Sequence, residues 1–165
     1  MLEIVRAQPQ DSVILKEICI TSKGYWGYPD HLMSKFAQTP IIMPESIVRD
    51  IVYKACVDAA TVGWYRLLRQ APIAILDDLW VSPAFMGKGI GRALFQHMVS
   101  QAQSLGALAI ELDSDHNASP FYERMGCSRM GQSLTEWGRT VPRMRYSLPA
   151  HDESKARDGA NRNSA

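Results

Sequence analysis

The first half of the chain alternates apolar and polar residues with the period of two that is typical of strands. This pattern predicts strands over residues 2–7, 51–57, 61–68 and 73–81. Between the first two strands, apolar positions recur every three or four residues, which predicts helices over residues 11–23 and 30–36. Pro40 and Pro44 then indicate a loop before the second strand.

The second half of the chain alternates helices with strands. An apolar helical face follows residue 89 and ends before the stop signal Gly106; its members are Ile90, Leu94, Met98, Ala102 and Leu105. The remaining predicted elements are a strand over residues 107–112, a helix over 120–125, and strands over 127–130 and 142–148.

This order predicts one α/β domain over residues 1–149, with a mixed sheet of about seven strands and about four flanking helices. The first strands are antiparallel neighbours, and a right-handed strand–helix–strand crossover lies in the middle. Residues 150–165 are polar and rich in alanine and glycine. They cannot bury enough apolar surface to fold, so we expect a disordered tail.

Composition argues against several classes of partner but does not by itself indicate a function. A length of 165 residues with 46% hydrophobic residues fits one packed domain. A net charge of +1 gives no support for a nucleic-acid partner. The three cysteines and four histidines are scattered without metal-ligand spacing, so no metal is expected. Since neither a signal-peptide pattern nor a membrane-spanning apolar run is seen, we expect a cytoplasmic protein without a membrane partner.

Three alternating glycines carry the clearest chemical signal. Gly87, Gly89 and Gly91 stand between a predicted strand and a predicted helix. Backbone N–H groups at a helix N-terminus favour an anion, and Lys88 and Arg92 add positive charge there. We therefore expect a diphosphate site, with a mobile turn as the alternative. The spacing matches neither the dinucleotide fingerprint nor the P-loop.

Two segments resemble the GNAT superfamily of acyl-CoA-dependent N-acyltransferases. They read "LWVSPAFMGKGIGRAL" (79–94) and "NASPFYERMG" (117–126). The family signature is Arg/Gln-x-x-Gly-x-Gly/Ala, and Met86 stands at its first position. Two further segments, "YWGYPDHLM" and "GRTVPRMRYSL", resemble an uncharacterised bacterial-type branch of the family. The resemblance extends loosely over residues 2–148 and implies the GNAT fold, in which a central parallel strand pair splays apart.

The resemblance also implies how acetyl-CoA binds as co-substrate. Amides of the glycine loop would hold the diphosphate, and unpaired backbone groups of the preceding strand would hold the pantetheine arm and the thioester. Asn117 either contacts the pantetheine amides or caps a helix, and Arg124 either reaches the 3′-phosphate or is a solvated charge. The residues so assigned are Leu79, Trp80, Val81, Met86, Gly87, Lys88, Gly89, Ile90, Gly91, Arg92, Asn117, Phe121, Tyr122 and Arg124.

Acid and base candidates follow from the same resemblance. Tyr122 matches the family's general acid, and a phenol can protonate a departing thiolate. Asp77 and Asp78 are the candidates for the base, with Asp78 preferred. Because successive side chains on a strand face opposite ways, we expect at most one of the two to face the cleft. The other acidic candidates are Glu111, Asp113 and Glu136.

The acceptor end of the site is the least defined by sequence. Tyr25, Trp26, Tyr28 and His31 lie where relatives place specificity elements, and aromatic rings can bracket an amine, although they can equally be packing residues. The resulting hypothesis is direct acetyl transfer from acetyl-CoA to a primary amine of a small molecule or peptide. A homodimer is possible. The alternative is a non-catalytic acyl-CoA or nucleotide-binding regulatory module.

Overall fold

The computed structural model of the protein describes residues 1–149, so the predicted tail over residues 150–165 lies outside the described part. Within residues 1–149 the strands are β1 (Leu2–Arg6), β2 (Ile51–Val57), β3 (Ala60–Gln70), β4 (Ile73–Val81), β5 (Ala109–Asp113), β6 (Ser128–Leu134) and β7 (Thr140–Ser147). The helices are α1 (Ser12–Gly24), α2 (Asp30–Gln38), α3 (Pro44–Arg49), α4 (Ile90–Ser104) and α5 (Ser119–Arg124). None of these helices is long and apolar enough to cross a membrane.

All seven strands join one sheet in the order β1-β2-β3-β4-β5-β7-β6. Neighbouring strands are antiparallel except for β4 and β5, which are parallel and are connected through α4. The mixed sheet with an antiparallel first half, expected from the sequence, is confirmed. A parallel pair needs a crossover of this kind because its strands run in the same direction.

The parallel pair β4–β5 is hydrogen-bonded over a short length only. Its register contains three residue pairs, which run from Ile73 opposite Ala109 to Ile75 opposite Glu111. Beyond this point β4 continues to Val81 while paired with β3 on its other edge. The two central strands therefore separate towards their carboxyl ends, as the expected splayed pair requires.

Helix α3 is the one α-helix within residues 1–149 that the sequence did not predict, and it brings their number to five. A loop was expected where it forms, since Pro44 looked like a break. Proline is well tolerated at the first helical position, where the missing N–H would have no partner anyway. Ile47 is buried and anchors the short helix on the sheet.

Two apolar clusters cover the two faces of the sheet. The larger lies under α4, where Leu94 and Met98 are fully buried. The smaller lies under α1 and contains Trp64, whose indole N–H donates to the carbonyl of Leu15 over 2.8 Å. Leu105 does not extend the apolar face of α4 as predicted: it lies just beyond the last helical residue and is 41% exposed.

Leu94 is buried and Leu105 is exposed, so we expect them to contribute differently to the stability of the domain. Leu94→Ala should lower the free energy of unfolding by about 2–5 kcal/mol, because it leaves a cavity in the packed cluster under α4. Leu105→Ala is the matched control, and its effect should stay within about 0.5 kcal/mol. Urea unfolding followed by tryptophan fluorescence measures both. Equal losses in the two variants would contradict the assignment of α4 as the core helix.

Candidate active site

A cleft of about 840 Å³ lies where β4 and β5 separate. Its walls are the second half of β4, the loop before α4, the β5–α5 segment and the end of α1. The predicted acetyl-CoA residues that line it are Leu79, Trp80, Val81, Met86, Gly87, Gly89, Gly91, Arg92, Asn117, Phe121, Tyr122 and Arg124. Two predicted residues do not line it. Ile90 is buried in the core, and the ammonium of Lys88 lies 5.0 Å from the ring centroid of Phe85.

The three glycines of the loop serve two different purposes. Gly87 and Gly89 have φ angles of +74° and +82°, in the left-handed region where glycine avoids the steric cost of a Cβ atom. Gly91 has no such angle, but a Cβ there would lie 3.4 Å from the ring of Phe121. Gly91 therefore lies where α4 contacts α5, at an ordinary van der Waals distance, whereas the first two glycines shape the turn.

The turn leaves a run of backbone donors free. In the part of the chain that is described, the N–H groups of residues 87–92 have no backbone acceptor, and the first amide of α4 to donate is that of Ala93, to the carbonyl of Gly89 over 3.0 Å. Gly87, Gly89 and Gly91 all line the cleft. Unpaired amides at the N-terminus of a helix form a site suited to an anion.

The edge of β4 adds further unpaired backbone groups. From Leu76 to Val81 this strand pairs with β3 but not with β5. The peptide groups that point towards β5 therefore face the cleft, where Leu79, Trp80 and Val81 form part of the wall. Such groups can bind an extended ligand in the way that a neighbouring strand would.

A β-bulge brings both acidic candidates of β4 into the cleft. The register places Asp78 opposite Arg66 and Leu76 opposite Leu67, so Asp77 is an extra residue without a partner. Nη2 of Arg66 contacts the carboxylate of Asp77 and lies 3.0 Å from Oδ2 of Asp78. The expectation that at most one of these aspartates faces the cleft is therefore wrong, because a bulge interrupts the alternation of side chains.

Asp78 is the more unusual of the two carboxyl groups. It is buried, and its Oδ1 accepts a hydrogen bond from the indole N–H of Trp80 over 2.9 Å. Its Oδ2 has no aligned donor among the described residues, although Arg66 is close. Burial raises the pKa of Asp78 to about 6, and the charge of Arg66 and the hydrogen bond from Trp80 only partly offset this effect.

Tyr122 lines the cleft from α5 and is almost fully buried. Burial raises the pKa of its phenol above the usual range, with smaller contributions from Cys127 and from the negative charge of Asp78. The phenol therefore stays protonated. Burial also raises the pKa of the Cys127 thiol to about 11, which disfavours its thiolate form.

The aromatic residues predicted for the acceptor end are placed differently from one another. Trp26 lines the cleft, and the exposed Tyr25 packs edge-on against it without lining the cleft itself. Tyr28 also lies outside the lining but donates a hydrogen bond from its hydroxyl to the cleft residue Asp115. His31 is exposed on α2 and does not line the cleft.

The other acidic candidates are less suited to act as a base. Glu111 is ion-paired with two arginines of β7, and Arg143 is the nearer at 2.8 Å. Asp113 lines the cleft and accepts a hydrogen bond from Ser133 over 2.6 Å. Glu136 is exposed in the turn between β6 and β7 and does not line the cleft.

Sequence reasoning missed three charged residues of the site: Lys23, Arg66 and Asp115. Lys23 and Asp115 line the cleft, and their charged atoms lie 3.7 Å apart. Arg66 lies on β3, directly across from Asp78. Burial raises the pKa of Asp115, but hydrogen bonds from Tyr28 and from the backbone of Asn117 outweigh it, and the net pKa is lowered. No local motif marks these residues, because their partners are distant in sequence.

Comparison with known sequences supports the same family, and comparison with solved structures shows the same fold. A family model described as an acetyltransferase (GNAT) domain matches residues 32–148. Glucosamine 6-phosphate N-acetyltransferase of Trypanosoma brucei brucei is 35% identical over 51 residues, which are 31% of this chain and 35% of that protein. An uncharacterised N-acetyltransferase of Methanocaldococcus jannaschii is 28% identical over 89 residues, which are 52% of this chain and 39% of that protein.

The matches thus span less than half the length of either curated relative. Among solved structures, the PaiA N-acetyltransferase from Thermoplasma acidophilum in complex with coenzyme A has a TM-score of 0.78 at 20% identity. That likeness covers 90% of this chain and 99% of the other, and it shows a shared fold. Since the family model matches more than half of the chain, the chain belongs to the GNAT acetyltransferase family.

Proposed function

We propose that the protein transfers an acetyl group from acetyl-CoA directly to a primary amine. The observation that carries this proposal is the separation of β4 from β5 beyond Ile75. It opens a cleft that has free helix-terminal amides at one end and a buried carboxyl group and a phenol in its wall. These groups meet the needs of acyl transfer, which are a bound thioester, a proton acceptor and a proton donor.

The free amides of residues 87–92 support binding of the coenzyme's diphosphate, with the positive charge of Arg92 beside them. The unpaired edge of β4 supports binding of the pantetheine arm, whose amides can replace the missing strand. Asn117 donates to Asp115 through its backbone and side chain, which favours a loop-stabilising role for it. Arg124, exposed in the last turn of α5, remains available for the 3′-phosphate.

The proposed reaction has two proton transfers, one to Asp78 and one from Tyr122. The amine nitrogen bonds to the thioester carbon, and the carbon–sulfur bond breaks. Asp78, directly or through a water molecule, accepts the proton that the amine loses. Tyr122, which its raised pKa keeps protonated in the resting enzyme, donates its proton to the departing thiolate, and the phenol then regains, through water, the proton that Asp78 accepted. Backbone donors on β4 stabilise the negative charge on the carbonyl oxygen.

The test of the proposed function is release of free CoA thiol from acetyl-CoA in the presence of a broad panel of primary amines. Amine-dependent release by the full chain supports the enzyme. Tight binding of acetyl-CoA without release on any amine would instead favour the alternative, a regulatory module. Calorimetric titration with acetyl-CoA and with ATP separates acyl-CoA binding from nucleotide binding in that case.

Removal of the Tyr122 hydroxyl should slow the chemical step specifically. For Tyr122→Phe we expect kcat to fall between about 100-fold and 10,000-fold, since a proton donor is lost, while the affinity for acetyl-CoA is retained. Steady-state kinetics and calorimetry measure the two quantities. Tyr146→Phe is the matched control, because its ring packs against Phe95 outside the cleft. An unchanged kcat in Tyr122→Phe would exclude this residue as the acid.

Asp78 should control the acidic limb of the pH profile. A base must be ionised to accept a proton, so kcat/KM should rise with pH through the Asp78 pKa of about 6 and level off above it. Asp78→Asn should remove this limb and lower kcat. Asp113→Asn deletes another carboxylate of the same cleft and should keep the limb in place. A limb that persists in Asp78→Asn rules out Asp78 as the base.

A further inference from the structure

Lys23 is held in an aromatic cage at the acceptor end of the cleft. It lies in the last turn of α1 and lines the cleft. Its ammonium lies 4.6 Å from the ring centroid of Tyr28, 4.9 Å from that of Phe36 and 6.0 Å from that of Trp80. Rings at such distances attract a cation and hold it in place. The ammonium is therefore fixed at the wall of the cleft.

Asp115 lies beside the cage but accepts no hydrogen bond from the Lys23 ammonium. Its Oδ2 lies 3.7 Å from Nζ of Lys23, which is too long for a hydrogen bond. The Asp115 oxygens are already occupied: Oδ2 accepts from the hydroxyl of Tyr28, and Oδ1 accepts from the backbone and side chain of Asn117. Within residues 1–149 the Lys23 ammonium donates no hydrogen bond, although its side chain is only 22% exposed.

We propose that Lys23 binds an anionic group, a carboxylate or a phosphate, of the acceptor amine. This inference rests on the proposed function, since it names the class of amine that the same cleft takes. An oriented ammonium with unused N–H groups is a ready partner for an anionic oxygen, and such charge-assisted hydrogen bonds are the strong ones.

Trp80 fixes where the two ends of the acceptor lie. Its indole N–H donates to the Asp78 carboxyl group over 2.9 Å, and its ring is the third wall of the Lys23 cage. An acceptor with its amine at Asp78 and its anionic group at Lys23 therefore lies along Trp80. Both ends of the molecule are then recognised by one rigid wall of the cleft.

The other charges near the acceptor end are already offset. The guanidinium of Arg66 lies against both Asp77 and Asp78. The charge of Asp115 is offset first by its hydrogen bonds from Tyr28 and Asn117, and then by the charges of Lys23 and of Arg139, whose guanidinium lies 4.9 Å from the ring centroid of Tyr28. Among the described residues that line the acceptor end of the cleft, Lys23 is a cation whose N–H groups donate no hydrogen bond, and it favours amino acids and phosphorylated amino sugars over polyamines.

Matched pairs of amines test this inference. The full chain saturated with CoA is titrated calorimetrically with amino acids and their amides, and with glucosamine 6-phosphate and glucosamine. We expect the wild type to bind the anionic member of at least one pair about tenfold or more tightly than its neutral partner, as a charge-assisted hydrogen bond would give. The amino-acid arm reports a carboxylate and the amino-sugar arm a phosphate.

Substitution of Lys23 separates its charge from its packing. Lys23→Met should reduce the preference to less than about twofold, the level left without the ammonium, and Lys23→Arg should retain most of it. Lys16→Met, two turns earlier on α1 and outside the cleft lining, is the control and should keep the preference. Lys23→Gln replaces Lys23→Met if thermal melting shows that the methionine variant is unfolded.

Two results would overturn the inference: a wild type that binds neutral or cationic amines as well as anionic ones, or a preference that survives the loss of the ammonium. Thiol release on the same panel separates this inference from the proposed function. If Lys23-dependent anion binding occurs without turnover of any amine, the anion site stands and the enzyme does not. If amines are acetylated without regard to charge, the enzyme stands and the role of Lys23 is refuted.

Discussion

The parallel strands β4 and β5 share hydrogen bonds over three residue pairs, and the whole cleft depends on where that pairing stops. A strand that stays in the sheet on one side only leaves peptide groups on its other edge without partners. Burying such an edge costs free energy unless a ligand or water satisfies it. In this chain the unpaired edge faces a cavity of about 840 Å³, and the fold thereby keeps an open strand position for a ligand.

The β-bulge at Asp77 is the second consequence of the way β4 is built. One extra residue shifts the alternation of side chains, so that Leu76 and Leu79 both pack on the α4 side of the sheet. The same shift places two carboxyl groups against the single guanidinium of Arg66. Burial is the main reason why the pKa of Asp78 rises despite its ion pair with Arg66, and the negative charge of Asp77 adds a smaller contribution.

The sequence predicted the sheet well because its strands carry strong local patterns. Strands β2 and β4 begin and end at the predicted residues, and the order of elements follows the expected one. Local rules failed where two readings of one residue compete. Pro44 can break a helix or begin one, and only the packing of Ile47 against the sheet decides that it begins one. The alternation rule failed at Asp77 because a bulge depends on the partner strand.

Some candidate site residues likewise have a local signal in the sequence, whereas others depend on contacts between distant residues. The glycine loop, Tyr122 and the aspartates of β4 were predicted from local signals, a helix start and a short motif, and they lie along the cleft. The contact of Gly91 with the ring of Phe121, by contrast, joins residues 30 positions apart and has no local signal.

The sequence by itself determined the order of elements and the loop that caps α4, since both follow from interactions between near neighbours in the chain. Only the tertiary structure decided that Arg66 faces Asp78 and that three aromatic rings surround Lys23. Charges and rings act through space, and their distances are fixed only when the strands and helices that carry them pack together.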